Sequence, residues 1–120
     1  MGHYHELLDD LHEPYRELRD PIGDVLSAYA GLNRAAMADG AISRRVKELI
    51  ALAVAITREC DGCIASHARS SARQGATPQE VAEAIGVAIM MNGGPGTVWG
   101  PRAWAAYQEF SAEGGKNSPT

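Results

Sequence analysis

The two cysteines of this 120-residue chain are Cys60 and Cys63, so they form a Cys-x-x-Cys motif. This spacing suits a reversible disulfide or half of a metal site, because both sulfurs can lie on one helical turn. His67 follows Cys63 by four residues, which places the two side chains on the same face of a helix. The segment therefore predicts thiol chemistry, with His67 as a base for Cys63.

The residues alone leave the roles of the two cysteines open. A thiol at the N-terminus of a helix has a lowered pKa, because the helix dipole stabilises the thiolate, and this favours Cys60 as the nucleophile. The nearness of His67 favours Cys63 instead. Glu48 lies in the preceding predicted helix and could orient or reprotonate His67. Its alternative role is that of an ordinary surface glutamate.

Two other classes of function fit the same residues. Cys60, Cys63 and His67 could hold zinc, with Glu48 or water as the fourth ligand. The chain could also be a non-enzymatic oligomeric protein whose two thiols act only as small hydrophobic side chains. Metal analysis and thiol reactivity would separate these alternatives from a redox-active pair.

Composition narrows the class of protein. Eleven Lys and Arg side chains against 15 Asp and Glu give a net charge of −4, and no dense basic patch occurs, so a nucleic-acid partner is not expected. No apolar run approaches the about 18 residues of a membrane span, and no signal-peptide pattern opens the sequence. We expect a cytoplasmic protein without a membrane partner, where a disulfide is more often catalytic than structural.

Helical periodicity and capping residues predict one all-α domain of about six helices over residues 1–120. A first helix should run from Tyr4 to about Asp20 and be broken or kinked at Pro14. A second should begin with Asp20 as N-cap and end at Gly40. The remaining predicted helices are a third from N-cap Ser43 to about Arg58, a fourth from Cys60–Gly62 to Gly75, a fifth from Pro78 to about Met91 and a last one through Trp99, Trp104, Tyr107 and Phe110.

The segments outside these helices carry weaker signals. Residues 92–96, Asn-Gly-Gly-Pro-Gly, should form a turn between buried helices, because a phosphate-binding loop would need a preceding strand and a lysine. Residues 114–120 should form a flexible tail. The fifth helix is apolar almost all round, which predicts burial on several sides; contact with another subunit would provide part of that burial, and complete burial inside one chain is the alternative. His3 and His5 lie near the terminus, and we assign them no function.

The spacing of Glu48, Cys60, Cys63 and His67 resembles the alkylhydroperoxidase D-like branch of the carboxymuconolactone decarboxylase family. The resemblance covers roughly Ala41 to Gly100 and includes the segment from Cys60 to His67 and the glycine-rich turn. It implies an all-helical bundle that assembles as a homotrimer or homohexamer. The decarboxylase branch generally lacks the cysteine pair, so lactone decarboxylation fits this chain poorly.

The resemblance also implies a thiol-dependent peroxidase and assigns the cysteine roles. By the family pattern, Cys63 attacks a hydroperoxide, and Cys60 supplies a proton and then closes the disulfide. Glu48 and His67 form the proton relay. No cofactor is expected, and the partners are a small-molecule hydroperoxide and a dithiol electron donor.

Overall fold

Six α-helices make up residues 2–117, the part of the chain that this computed structural model describes; side chains are described as far as Glu113. The helices are α1 (His3–Glu17), α2 (Arg19–Met37), α3 (Arg44–Thr57), α4 (Asp61–Arg73), α5 (Pro78–Asn92) and α6 (Gly96–Asn117). No strand occurs within the described residues. The predicted all-α fold with about six helices is confirmed.

The core lies between α3, α4, α5 and α6. Its largest fully buried apolar side chains come from α3, α4 and α5: Leu52, Ile56, Ile64 and Val81. Helix α4 packs against α6 and α3, and α5 packs against both of those helices. The buried hydroxyl of Tyr107 on α6 donates to the carbonyl oxygen of Ala76 at 2.7 Å, which ties α6 to the turn between α4 and α5. The N-terminus of α4, which carries the cysteine pair, is therefore mounted on the rigid part of the bundle.

The predicted starts of α3 and α5 are confirmed by side-chain caps. The Ser43 hydroxyl accepts from the Val46 N–H at 3.2 Å. Thr77 and Glu80 form a reciprocal capping box, in which each side chain accepts from the other residue's backbone N–H, at 3.1 and 2.9 Å. These bonds satisfy N–H groups that the first helical turn leaves without partners.

The predicted boundary between α1 and α2 was wrong. Leu18 keeps helical backbone angles and is both the C-cap of α1 and the N-cap of α2, so Asp20 never takes the extended conformation that an N-cap requires. The break falls instead at Ile22, directly after Pro21, where φ is −136° and ψ is 37°. Pro14 does not end α1, because it lies in the last turns and its missing N–H removes a single helical bond.

The turn before α6 and the start of α6 need glycine for two reasons. One residue has a positive φ, and the backbone of α6 approaches α5 too closely for a side chain. Gly93 has φ +67°, which other residues rarely adopt. A Cβ on Gly96 would lie 2.8 Å from the Ile89 Cα, and one on Gly100 would lie 3.0 Å from the Ile89 side chain. The glycine-rich segment is therefore a tight connection that lets α6 pack on α5, as the sequence predicts.

Much apolar surface of α2 and α5 stays uncovered within one chain. Helix α2 has no buried residue and exposes Val25, Tyr29 and Leu32. Helix α5 buries Val81, Ile85 and Ala88 on one face only, and it exposes Val87, Met90 and Met91. The expectation that α5 is buried on several sides is not met inside a single subunit.

Helix α6 extends to Asn117, and residues 118–120 lie outside the described part of the chain, so the flexibility of residues 114–120 stays a prediction. In residues 2–117, none of the helices combines the length and the hydropathy needed to cross a bilayer.

Candidate functional site

The cysteine pair sits at the N-terminus of α4 and is closed as a Cys60–Cys63 disulfide, with 5.2 Å between the two Cα atoms. Cys60 is the N-cap residue of the helix, and its sulfur accepts from the Cys63 N–H at 3.3 Å. Cys63 is exposed, whereas Cys60 is partly buried. The sulfur at the N-cap is thus held by the helix, and the other sulfur faces incoming molecules.

The connection from α3 to α4 is a tight turn that ends at the first cysteine. Glu59 has φ +52°, and the Cys60 N–H donates to the Ala55 carbonyl oxygen at 3.2 Å. This is a Schellman-type helix end, in which glycine is the usual residue at the position of Glu59. A non-glycine residue there costs on the order of 1 kcal/mol, and the surrounding hydrogen bonds hold it. The turn fixes where α4 begins relative to α3.

The structure brings the two predicted relay residues together. His67 Nδ1 lies 2.9 Å from Glu48 Oε1, across the contact between α4 and α3. As a carboxylate Glu48 can only accept, so the Nδ1 of His67 carries the hydrogen and donates it. Neutral His67 then has its lone pair on Nε2, which is the tautomer that a general base needs.

Glu48 is not the surface residue that its alternative role requires. It is 2% exposed and lies among the core residues of α3. Its second oxygen, Oε2, lies 3.5 Å from Arg44 Nε, one turn earlier on the same helix. Burial of a carboxylate is tolerated when hydrogen bonds and opposite charge compensate it, and both are present here.

Arg44 is a site residue that we did not assign from the sequence. Its i,i+4 spacing to Glu48 is the sequence signal that could have found it. It holds one oxygen of the carboxylate while His67 holds the other, so Glu48 has a fixed orientation. Arg44 is itself half-exposed and reaches the relay from the solvent side.

The chemistry that this arrangement supports is proton transfer next to a thiol or disulfide. His67 is one helical turn from Cys63, although no hydrogen bond joins its ring to either sulfur within residues 2–117. In the same residues, no group of three or more His, Cys, Asp and Glu side chains is placed to hold a metal ion. The zinc alternative therefore lacks a ligand cluster in this oxidised geometry.

The N-terminal segment is better anchored than the sequence suggests. The N–H groups of Tyr4 and His5 donate to the carboxylate of Glu109 at 3.2 and 2.8 Å, so α6 caps the start of α1. The His5 ring also lies 2.7 Å from Glu113. Leu11, further along α1, would meet a Cβ on Gly62 at 3.2 Å, so α1 lies beside the residues between the two cysteines.

Comparisons with known proteins agree on one family. Residues 23–109 match the model of the carboxymuconolactone decarboxylase family. An uncharacterized protein of Cupriavidus necator is 38% identical over 88 residues, which cover 73% of this chain and 78% of that protein. Uncharacterized protein 4 in the cox locus of Paracoccus denitrificans is 39% identical over 83 residues, covering 69% and 75%.

Two solved structures share the fold. A carboxymuconolactone decarboxylase family protein from Legionella pneumophila, solved in its apo form, superposes with a TM-score of 0.88 at 32% identity, covering 90% of this chain and 96% of that one. A protein of the same family from Thermotoga maritima, whose description suggests involvement in an antioxidative response, gives a TM-score of 0.79 at 24% identity, covering 94% and 96%. At that lower identity the second likeness speaks for the fold alone.

Proposed function

The chain belongs to the carboxymuconolactone decarboxylase family, and from this membership and its cysteine pair we propose that it is a thiol-dependent peroxidase of the alkylhydroperoxidase D-like branch. The observation that carries the proposal is the juxtaposition at the N-terminus of α4. A Cys60–Cys63 pair able to close as a disulfide lies one helical turn from His67, which is bonded to a buried Glu48. This combination supplies two electrons and a route for protons.

The reaction begins at Cys63. His67 Nε2 takes the proton of the Cys63 thiol, and the resulting thiolate attacks one oxygen of the hydroperoxide, ROOH. The O–O bond breaks, Cys63 becomes a sulfenic acid, and the alkoxide leaves with a proton from Cys60 as the alcohol ROH.

The second step closes the disulfide. The Cys60 thiolate attacks the Cys63 sulfur, and the hydroxide that leaves takes the proton held by His67 and departs as water. The sum is ROOH plus two thiols giving ROH, water and one disulfide. A dithiol electron donor then returns two electrons and two protons to the pair.

Glu48 stabilises the charge that His67 carries between these steps. The imidazolium forms when Cys63 loses its proton, and the carboxylate at 2.9 Å offsets its positive charge. Because Glu48 is buried and its orientation is fixed by Arg44, little reorganisation is needed when the proton arrives. Glu48 is thus a positioning and charge-stabilising partner of the base.

The proposal includes assembly with further copies of the same chain, as a homotrimer or homohexamer. Large apolar side chains on α2 and on α5 are exposed in one subunit, and clusters of such side chains mark protein interfaces. A cytoplasmic location completes the proposal, since a reducing compartment returns the disulfide to the dithiol state.

Steady-state reduction of tert-butyl hydroperoxide with a dithiol reductant tests the proposal. Wild-type protein should consume the peroxide, and Cys63→Ser should lower the rate to that of the reductant alone. Without the reductant, Cys60→Ser should still react once, leaving Cys63 as a sulfenic acid that a dimedone label detects. An undiminished rate in Cys63→Ser would contradict the assignment of the nucleophile.

A further inference from the structure

A cavity of about 170 Å³ lies beside the cysteine pair, where the starts of α1 and α4 meet the first turns of α6. Six residues line it: His3, Tyr4, Asp61, Ile64, Trp99 and Arg102. Asp61 and Ile64 each follow a cysteine in the sequence, so the cavity lies next to the cysteine pair, although neither cysteine lines it. A space of this size holds a few water molecules or one small organic molecule.

Tyr4 supplies this cavity with a hydrogen-bond donor that has no other use. The residue is 9% exposed, and its hydroxyl has no hydrogen-bond partner among residues 2–117. Burial raises the pKa of Tyr4, an effect that Arg102 opposes and that Glu109 and Asp61 reinforce. The phenol therefore keeps its proton at physiological pH. The hydroxyl oxygen is not fully buried, so it can donate to a molecule in the cavity.

Arg102 supplies further donors. Its guanidinium carbon lies 4.4 Å from the centroid of the Trp99 ring, which holds the side chain in a stacked position. Within the described residues, no carboxylate lies within salt-bridge distance of this guanidinium. Its N–H groups are therefore available to an acceptor in the cavity.

The charges in the cavity favour a neutral ligand. The positive charge of Arg102 is matched by the negative charge of Asp61, whose Oδ1 accepts the Gly62 N–H at 2.7 Å and whose other oxygen can accept from a ligand. Ile64 and Trp99 add apolar surface. The complementary molecule has a small alkyl body and one polar group that both accepts and donates a hydrogen bond.

We propose that this cavity binds the hydroperoxyl group of a small alkyl hydroperoxide, or the hydroxyl group of the alcohol formed from it, through Tyr4, Arg102 and Asp61. The ligand class rests on the proposed peroxidase function. His3 and Tyr4 lie outside residues 23–109, the range that matches the family model, so the α1 side of the cavity lies beyond that range.

Binding is measured on the ¹⁵N-labelled disulfide form, which cannot turn over peroxide, by following the indole N–H signal of Trp99. Titration with tert-butyl hydroperoxide and with tert-butanol should shift this signal saturably. If tert-butyl hydroperoxide binds more tightly, the cavity is assigned to the substrate. If tert-butanol binds more tightly, it is assigned to the product. Methyl tert-butyl ether, which accepts but cannot donate, should bind more weakly than either.

Tyr4→Phe and Arg102→Gln should each weaken binding about tenfold, the effect of one lost hydrogen bond to a ligand. Tyr15→Phe, at an exposed position late in α1, is the matched control and should bind as wild type. In turnover, Tyr4→Phe should raise the KM for tert-butyl hydroperoxide more than it lowers kcat. No saturable shift, or unchanged affinity in both variants, would overturn the proposal. Absence of turnover in wild type would contradict the peroxidase function, while the titration still decides the cavity.

Discussion

The two sulfurs of the pair are not equivalent, and their difference bears on how the disulfide is reduced again. An incoming dithiol can reach Cys63, which is exposed, and the displaced group is then the Cys60 thiolate. That thiolate lies at the N-cap, where the Cys63 N–H and the helix dipole stabilise it. The start of α4 therefore leaves the Cys63 sulfur accessible and stabilises Cys60 as the leaving thiolate.

The contribution of the proton relay can be measured with Glu48→Gln. The substitution keeps the size of the side chain but removes the charge that offsets protonated His67. Because general acid–base groups typically contribute 10²–10⁴-fold, we expect kcat for hydroperoxide reduction to fall on the order of 100-fold. Glu17→Gln, an exposed glutamate at the end of α1, is the control and should be unaffected. A wild-type rate in folded Glu48→Gln would remove Glu48 from the mechanism.

Helix starts carry the local information that positions the site. α3 begins at a serine cap, α5 begins at a capping box, and α4 begins at Cys60, the first cysteine of the pair. Cys60 is a weak acceptor compared with the oxygen caps of its neighbours, since sulfur makes weaker hydrogen bonds. Stability at the start of α4 thus depends more on the packing of α1, α3 and α6 around it than on the cap.

The contribution of the α5 cap to the stability of the fold can be measured by substitution. Thr77→Ala removes the acceptor for the Glu80 N–H, and we expect a loss of about 1 kcal/mol in the free energy of unfolding. Urea denaturation at fixed protein concentration measures the loss. Ser27→Ala, at an exposed position inside α2, should change stability by less than about 0.5 kcal/mol. Equal effects of the two substitutions would mean that the capping box does not stabilise α5.

The sequence was sufficient for those elements whose signals are local. Ser43, Thr77 and Gly75 mark helix ends by their own chemistry, and the spacing of Cys60, Cys63 and His67 marks the site. The α1–α2 boundary could not be predicted, because Leu18 continues the helix where Asp20 and Pro21 suggest a new start. A local pattern does not reveal whether the chain straightens between two helices.

Contacts between helices that are far apart in the sequence could not be predicted either, because sequence patterns are local. Burial of Glu48 depends on how α3 packs against α4, and the anchoring of His5 depends on Glu109 of α6. The cavity joins Tyr4 to Arg102, which are far apart along the chain. Of the residues that the sequence analysis did not assign to the site, only Arg44 could have been found in advance, from its i,i+4 spacing to Glu48.

The whole molecule has a packed four-helix part and an arm, α2, that buries none of its own side chains. Val25, Tyr29 and Leu32 are each at least 60% exposed on that arm. A helix with such residues in water gains little from folding alone, so its stability has to come from packing against something else. We propose that further copies of the chain pack against this exposed face of α2.

Light scattering coupled to size-exclusion chromatography tests this assembly. We expect a mass three or six times that of one chain, and Leu32→Glu should lower it by placing a charge in the apolar interface. Asn33→Glu, at the adjacent exposed position, is the matched control and should keep the wild-type mass. A single-chain mass for wild type at all concentrations would contradict the proposed homo-oligomer.

The most direct test of the redox-active pair is a count of free thiols on reduced, metal-free protein before and after one equivalent of tert-butyl hydroperoxide. The proposed mechanism predicts that two thiols per chain are lost together and that a dithiol reductant restores both, because one hydroperoxide takes two electrons from Cys60 and Cys63. Two thiols that survive the peroxide unchanged would contradict the peroxidase function.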